Sequence, residues 1–185
     1  MNTSLVETVW PGESLQRNVV LVLAGSVLTA LSAQVAIPLP FSPVPVTGQT
    51  FAVLLIGAVL GSRLGALAML AYLAEGAIGL PVFAGGHGTL LWMLGPTGGY
   101  LAGFVVAAYI IGWLCEHAWD RRLLTALAAM LLGNVAIYAL GLPWLAHFVG
   151  TGKVVALGLA PFIAGDVAKI VLAGLALPTA WKFVR

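Results

Sequence analysis

Two long stretches without charge constrain this chain more than any other feature. No Asp, Glu, Lys or Arg occurs between Arg17 and Arg63, and none occurs between Glu75 and Glu116. About 20 apolar residues span a bilayer, so each stretch is long enough to cross one. Only 8% of the 185 residues are charged, whereas soluble domains carry about 25%. The sequence therefore predicts an integral membrane protein.

Charge and cysteine content exclude several other classes. The net charge is only +2 and the basic residues are dispersed, which argues against a nucleic-acid partner. Cys115 is the only cysteine, so the chain cannot form an internal disulfide or a thiolate metal site. The first sixteen residues are polar and contain Glu7 and Glu13 but no Lys or Arg. A signal peptide begins with positive charge, so we expect this N-terminus to be retained.

Proline, glycine and charge divide the apolar sequence into six predicted spans. They cover about 17–37, 49–61, 63–76, 100–115, 123–142 and 161–184. The first stops at four prolines within 38–45, which a helix interior does not tolerate. The fifth is expected to stop at Pro143 for the same reason. We predict an all-α, compact bundle of six transmembrane helices, forming one domain over 17–185 after a polar segment over 1–16.

The basic residues give the bundle an orientation. With six spans, Lys153 is the only basic residue outside a span on one side of the membrane. The other side carries Arg17, Arg63, Arg121, Arg122, Lys182 and Arg185. Because positive residues stay on the cytoplasmic side, both termini of this multi-pass protein are predicted to be cytoplasmic.

The two outer connectors are unusually apolar. Residues 38–45 and 79–99 contain no Lys, Arg, Asp or Glu. Irregular backbone is tolerated at membrane depth where protein covers it, so these segments are predicted to fold back as lids over a cavity. The alternative is that they lie in the lipid interface.

Three charged residues fall within apolar stretches: Glu75, Asp166 and Lys169. A charge at membrane depth is costly and needs a partner or a ligand. Asp166 and Lys169 are three residues apart and so share one helical face. They form either a self-satisfied ion pair or the polar pole of an apolar pocket. Glu75 lies near the outer end of a short helix and is expected to be interfacial.

The sequence contains no residues arranged for catalysis or nucleotide binding. It has no P-loop, dinucleotide, zinc-protease or serine-hydrolase motif. His87, His117 and His147 are widely separated, whereas a metal site needs convergent ligands. We therefore predict no catalytic residue, no metal and no cofactor, and any uphill transport must draw its energy from a source outside this chain. Asn134, inside the fifth span, is expected to bond a neighbouring helix.

Small residues follow one another at helical spacing along the first span. They are Gly25, Ser26, Thr29, Ala30 and Ala33. Such a ridge permits close approach of backbones. It packs against an internal helix or docks another membrane protein.

Four segments resemble the signature of the BioY family of biotin-capture proteins. The longest is QVAIPLPFSPVPVTGQT at 34–50, followed by GLPVFAGG at 79–86, GPTGGY at 95–100 and GDVAK at 165–169. The motifs occur in the family's order, and the resemblance extends from about residue 20 to the C-terminus.

The resemblance implies a six-helix substrate-binding (S) component of an energy-coupling-factor (ECF) transporter in a prokaryotic cell membrane. Such a subunit takes biotin from the outer face. A transmembrane coupling subunit and two cytoplasmic ATPase subunits then drive its release inward. Alternatives are an S component for another vitamin, or an autonomous secondary transporter of a small carboxylate. The latter class usually shows inverted repeats, and none is evident in this sequence.

The resemblance also implies site residues. Asp166 and Lys169 correspond to ligand-binding positions, and Gln49 is expected to be a third. Asp can only accept hydrogen bonds and Lys can only donate them, which suits the ureido ring and the carboxylate of biotin. Lys169 is expected to meet the carboxylate, the only anion on biotin. Because biotin is longer than the distance between the two side chains, they must splay or both serve one pole.

Further residues are assigned to the walls and to docking. Phe41, Trp92 and Tyr100 are expected to form apolar walls, although Trp92 equally suits an aromatic belt at the interface. The small-residue docking signature of the family falls on Ser26 and Ala30, with serine in place of the usual alanine.

Overall fold

The computed structural model describes residues 4–12 and 14–184, so residues 1–3, Glu13 and Arg185 lie outside it. Its helices are α1 (Leu5–Val9), α2 (Leu15–Gln34), α3 (Gln49–Ala77), α4 (Leu90–Met93), α5 (Gly98–Glu116), α6 (Leu123–Val149), α7 (Val154–Gly158) and α8 (Ile163–Val184). Short 3-10 turns lie at Ala84–Gly86 and Trp119–Arg121. Two strands, β1 (Ala36–Leu39) and β2 (Ser42–Thr47), complete the described fold.

Among the described residues, five helices are long and apolar enough to cross a membrane: α2, α3, α5, α6 and α8. Helix α5 packs between α3 and α6, while α2 lies against α3 and α8 lies against α6 and α3. The prediction of a mainly helical chain with several membrane-spanning segments is confirmed.

The longest helix, α3, is folded back on itself at Gly61. This glycine has φ 83° and ψ 178°, which breaks the helix. The amide Nε2 of Gln49 donates to the hydroxyl of Tyr72 at 2.5 Å, although these residues are 23 positions apart. In a continuous helix they would be about 34 Å apart. Residues 49–60 and 62–77 are therefore two antiparallel arms, and the bend falls where the second predicted helix ends.

The prediction of an all-α fold is wrong at the proline-rich connector. Residues 36–47 form an antiparallel hairpin in which Ala36 pairs with Thr47 and Ile37 with Val46. Prolines exclude a helix, but they fit a two-stranded hairpin because the outer edge of each strand requires no N–H donor. The hairpin leads directly into the first turn of α3.

The predicted end of the fifth span at Pro143 is also wrong, because α6 continues to Val149. Proline removes one backbone hydrogen bond but does not end a membrane helix whose freed carbonyls find other partners. The first helix ends earlier than predicted, at Gln34, and the last begins slightly later, at Ile163.

The small-residue ridge of α2 packs inside the bundle. Gly25, Ser26, Thr29 and Ala33 are all buried. A methyl group added to Gly25 would lie 2.8 Å from the Cβ of Ala68 in the second arm of α3. The hydroxyl of Ser26 donates to the carboxylate of Glu75. Ser26 is thus unavailable to a partner protein, and its assignment to docking is wrong, whereas Ala30 is half-buried.

Two polar residues within the helices were given expected surroundings from the sequence. Glu75 lies near the end of α3, is half-buried and accepts a hydrogen bond from Ser26 of α2; its interfacial position stays a prediction. Asn134 is buried, and its Oδ1 accepts no hydrogen bond from the described residues. The expected bond to a neighbouring helix is therefore not found at that oxygen.

Polar contacts join the chain segments at the bend of α3, and we call this region the basic end. The carboxylate of Glu116 accepts from the backbone N–H of Ser62 at 2.6 Å. The indole of Trp181 donates to Asp120 at 2.5 Å and lies under the guanidinium of Arg121. Burial raises the pKa of Asp120 above its usual range. Arg17, Arg63, Arg121, Arg122 and Lys182 stand at the helix ends that meet in this region.

Candidate ligand-binding site

A narrow cavity lies at the opposite end of the bundle, between the hairpin and the helices. Its volume of about 60 Å³ has room for only a few water molecules. It is lined by Val44, Pro45, Thr47, Gln49, Thr50, Phe83, Ala84, Trp92, Thr97, Tyr100, Leu101, Phe104, Ile137, Tyr138, Phe162, Asp166 and Lys169. Five of the six residues predicted to bind a ligand are among them.

The polar pole of the cavity is built on the first turns of α8. Asp166 is 4% exposed, and its Oδ1 lies 3.4 Å from the Nζ of Lys169. The same Nζ donates to the hydroxyl of Thr50 at 2.7 Å. The hydroxyl of Tyr138 donates to the other carboxylate oxygen of Asp166. The charges therefore contact each other, and each also has a neutral partner on another helix.

Gln49 provides a second polar group where the hairpin joins α3. Its Oε1 accepts from the hydroxyl of Thr47 at 3.0 Å. Its amide nitrogen donates to Tyr72, whose hydroxyl donates to the carbonyl of Val82 at 3.1 Å. This chain of bonds fixes the side chain of Gln49 at the cavity wall and ties α3 to the segment before Ala84.

Aromatic and aliphatic side chains form the rest of the wall. Phe83 is 1% exposed and packs edge-on against Tyr72, with ring centroids 5.4 Å apart. Tyr100 packs edge-on against Tyr138 at 6.0 Å, and its hydroxyl donates to the carbonyl of Gly158 at 2.8 Å. Trp92 stacks on His87 at a centroid distance of 3.7 Å. The cavity thus combines a charged pole with a mainly apolar surface.

Phe41 does not line the cavity, contrary to expectation. It lies in the turn between β1 and β2, and its side chain is 58% exposed. A side chain at the tip of a hairpin points away from the residues that the strands cover. The assignment of Phe41 to the cavity wall is therefore wrong in this structure.

Sequence reasoning missed Thr50, Tyr138 and Phe83, all of which line the cavity. A signal existed for Tyr138, because a buried tyrosine hydroxyl usually requires a partner. Asp166 is the only aspartate within a predicted span and was the obvious acceptor. No comparable signal distinguished Phe83 from the other aromatic residues.

The site is suited to binding a small molecule that both donates and accepts hydrogen bonds. Lys169 can only donate, and an ionised Asp166 can only accept. In the part of the chain that the structure describes, His, Cys, Asp and Glu side chains form no group of three able to hold a metal. The cavity can therefore recognise a ligand through a cation, a carboxylate, an amide and hydroxyl groups.

Comparison with known proteins identifies the family. The family model described as "BioY family" matches residues 2–185. The chain belongs to the BioY family. The biotin transporter BioY of Rhizobium etli is 42% identical over 83% of this chain and 86% of its own length. The biotin transporter BioY of Rhodobacter capsulatus is 43% identical over 89% of this chain and 93% of its own.

A solved structure has the same fold as this BioY chain. It is the S-component for biotin from an ECF-type ABC transporter. The two superpose with a TM-score of 0.82 at 25% identity, covering 92% of this chain and 95% of the other.

Proposed function

We infer that this chain is the biotin-binding S component of an ECF-type transporter. It captures biotin and serves its uptake across the membrane, and it is not an enzyme. The observation that carries this inference is the contact between buried Asp166 and half-buried Lys169 in the lining of a mainly apolar cavity. Family membership and the biotin transporters among its relatives agree with it.

The proposed orientation of biotin follows from the distance between the two charges. Asp166 and Lys169 are 3.4 Å apart, whereas the ureido ring and the carboxylate lie at opposite ends of biotin. Both side chains must therefore serve one pole. The ureido group presents N–H donors beside a carbonyl acceptor, so one such group suits both residues. A carboxylate placed there would be repelled by Asp166, so the assignment of Lys169 to the carboxylate is disfavoured.

The rest of the proposed site holds the apolar body of biotin. The thioether ring and the aliphatic tail pack against Phe83, Tyr100 and Trp92, while the amide of Gln49 supplies a further polar contact. Aromatic walls with a few placed polar groups are typical of small-molecule sites.

The hairpin and residues 79–99 are proposed to act as lids. Both segments contribute to the cavity lining, through Val44 of the hairpin and through Phe83 and Trp92, so their separation would open the cavity to biotin. Side-chain hydrogen bonds hold both segments in place. The hydroxyl of Ser42 donates to the carbonyl of Leu157 at 2.8 Å, and the amide of Gln34 donates to the carbonyl of Phe83 at 3.4 Å. Counting each arm of α3 as one span gives the six transmembrane helices proposed for the domain 17–185.

The proposed orientation in a prokaryotic cell membrane places the basic end in the cytoplasm and the cavity toward the outside. A protease-cleavable tag at either terminus should be cut only when protease has access to the cytoplasmic side. The reason is that basic residues at both chain ends resist translocation. Cutting of either tag in intact cells would contradict the orientation and the even number of spans.

The proposed partners are a membrane-embedded coupling subunit and cytoplasmic ATPase subunits of an ECF transporter. The sequence has no P-loop, and separate ATPase subunits would supply the energy for uptake. Ala30, half-buried on α2, remains a proposed contact with the coupling subunit.

Titration of the purified chain with a panel of vitamins tests the proposed function. Isothermal calorimetry in detergent should detect tight binding of biotin but not of thiamine, riboflavin or lipoate. The chain alone should hydrolyse no ATP. Binding of another vitamin in place of biotin would keep the fold and refute the ligand. Uptake of biotin by liposomes that contain this chain alone would favour an autonomous transporter.

A further inference from the structure

The distance between the charged atoms of the ion pair is longer than the positions of the two residues on α8 require. Asp166 and Lys169 share one face of the helix, yet their charged atoms are 3.4 Å apart. A charge-assisted bond between ammonium and carboxylate is about 2.7–2.9 Å long. The shorter contact of Lys169, at 2.7 Å, is with the neutral hydroxyl of Thr50. The second oxygen of Asp166 is likewise occupied by the hydroxyl of Tyr138.

These hydroxyls approach from two different helices, and each is held in place by its surroundings. Thr50 lies in the first turn of α3 and directly follows Gln49, which bonds Thr47 and Tyr72. Tyr138 lies on α6, and its ring packs edge-on against Tyr100. The two charges are thus bonded to partners on two different helices, and these partners cannot readily follow them.

We propose that Thr50 and Tyr138 are positioning residues that hold Lys169 and Asp166 apart for the ligand. This inference rests on the proposed function of the cavity. A lysine ammonium has three donors and an ionised aspartate has about four acceptor sites. With one donor given to Thr50 and one acceptor taken by Tyr138, each charge keeps a direction free for the ureido group. A pair closed on itself would first have to be separated, and preorganisation of this kind increases affinity.

Tyr138→Phe and Thr50→Val remove one hydroxyl each with little change of volume. Each should lower the affinity for biotin about tenfold, as expected for loss of a hydrogen bond to a charged group. Tyr109→Phe and Thr179→Val are the matched controls, because both side chains are exposed and outside the cavity lining. They should bind biotin as the wild type does. Thr50→Ser keeps the hydroxyl and should retain most of the affinity.

A double-mutant cycle separates positioning from a merely structural bond between helices. If Tyr138 acts through Asp166, then Tyr138→Phe should change affinity by less than about twofold in an Asp166→Asn background. The same holds for Thr50→Val in a Lys169→Met background. Calorimetry measures the affinities, and thermal unfolding without ligand measures the structural contribution.

Three results would overturn the inference. One is that Tyr138→Phe, or Thr50→Val, lowers the affinity for biotin by the same factor in the wild-type protein as in the corresponding Asp166→Asn or Lys169→Met background. Another is unchanged affinity with a lowered melting temperature, which would make the hydroxyls simple links between helices. The third applies even if Tyr138→Phe fails to fold: equal affinities for Thr50→Ser and Thr50→Val. A wild type that binds no biotin would instead refute the proposed function.

Discussion

Lys169→Met and Asp166→Asn are each expected to lower the affinity for biotin ten- to hundredfold. Each should lower the affinity for a biotin amide by the same factor. Both charges lie at one pole of the cavity, 3.4 Å apart, and the amide shares the ureido ring that this pole is proposed to bind. A hydrogen bond to a charged group contributes about 1.5–3 kcal/mol, which corresponds to that range of affinity. Asp166→Asn also replaces an acceptor by an NH₂ donor, which would face an N–H of the ureido ring.

The comparison of acid with amide decides between two orientations of biotin. Calorimetric titrations of both ligands should give parallel losses for each variant. Lys153→Met is the matched control, since it removes a lysine outside the cavity lining and should bind both ligands as the wild type does. A loss for biotin but not for its amide in Lys169→Met would place the carboxylate at Lys169. The ureido ring would then have to bind elsewhere.

The membrane-spanning character of the chain could be predicted because charge is nearly absent from its helices. The spacing of three residues placed Asp166 and Lys169 on one helical face, and the family resemblance assigned them to ligand binding. Asp166 and Lys169 do line one cavity with Gln49, Trp92 and Tyr100. Each of these expectations depends on local sequence, either through a helical period or through resemblance to a motif.

The errors arose where tertiary contacts outweigh local rules. Proline forbids helix at 38–45 without specifying a hairpin, and Pro143 was tolerated inside α6 because its helix lies in the bundle. Phe41 resembled a wall residue, but the turn directs it outward. Ser26 stood on a ridge that suits docking or internal packing equally, and only the approach of α3 decided between them.

Gly112→Ala is expected to destabilise the folded protein strongly. This glycine of α5 lies against the bend of α3, where an added Cβ would be 2.3 Å from the carbonyl carbon of Gly61 and from the backbone nitrogen of Ser62. Backbone atoms at a bend cannot rotate away as a side chain can. Glu116, one turn further along α5, bonds the same nitrogen, so displacing α5 would also break that contact.

The expected loss exceeds the gain that alanine brings to a helix. Overpacking costs about 1–3 kcal/mol where side chains can yield, and more is expected against backbone, whereas alanine in place of glycine favours a helix by only about 1 kcal/mol. Gly165→Ala in α8 is the matched control, because an added Cβ there meets nothing within 4 Å. The melting temperature in detergent should fall by several degrees or more for Gly112→Ala and stay level or rise for Gly165→Ala. Equal melting temperatures for the two variants would mean that α5 and the bend of α3 do not pack as closely as described.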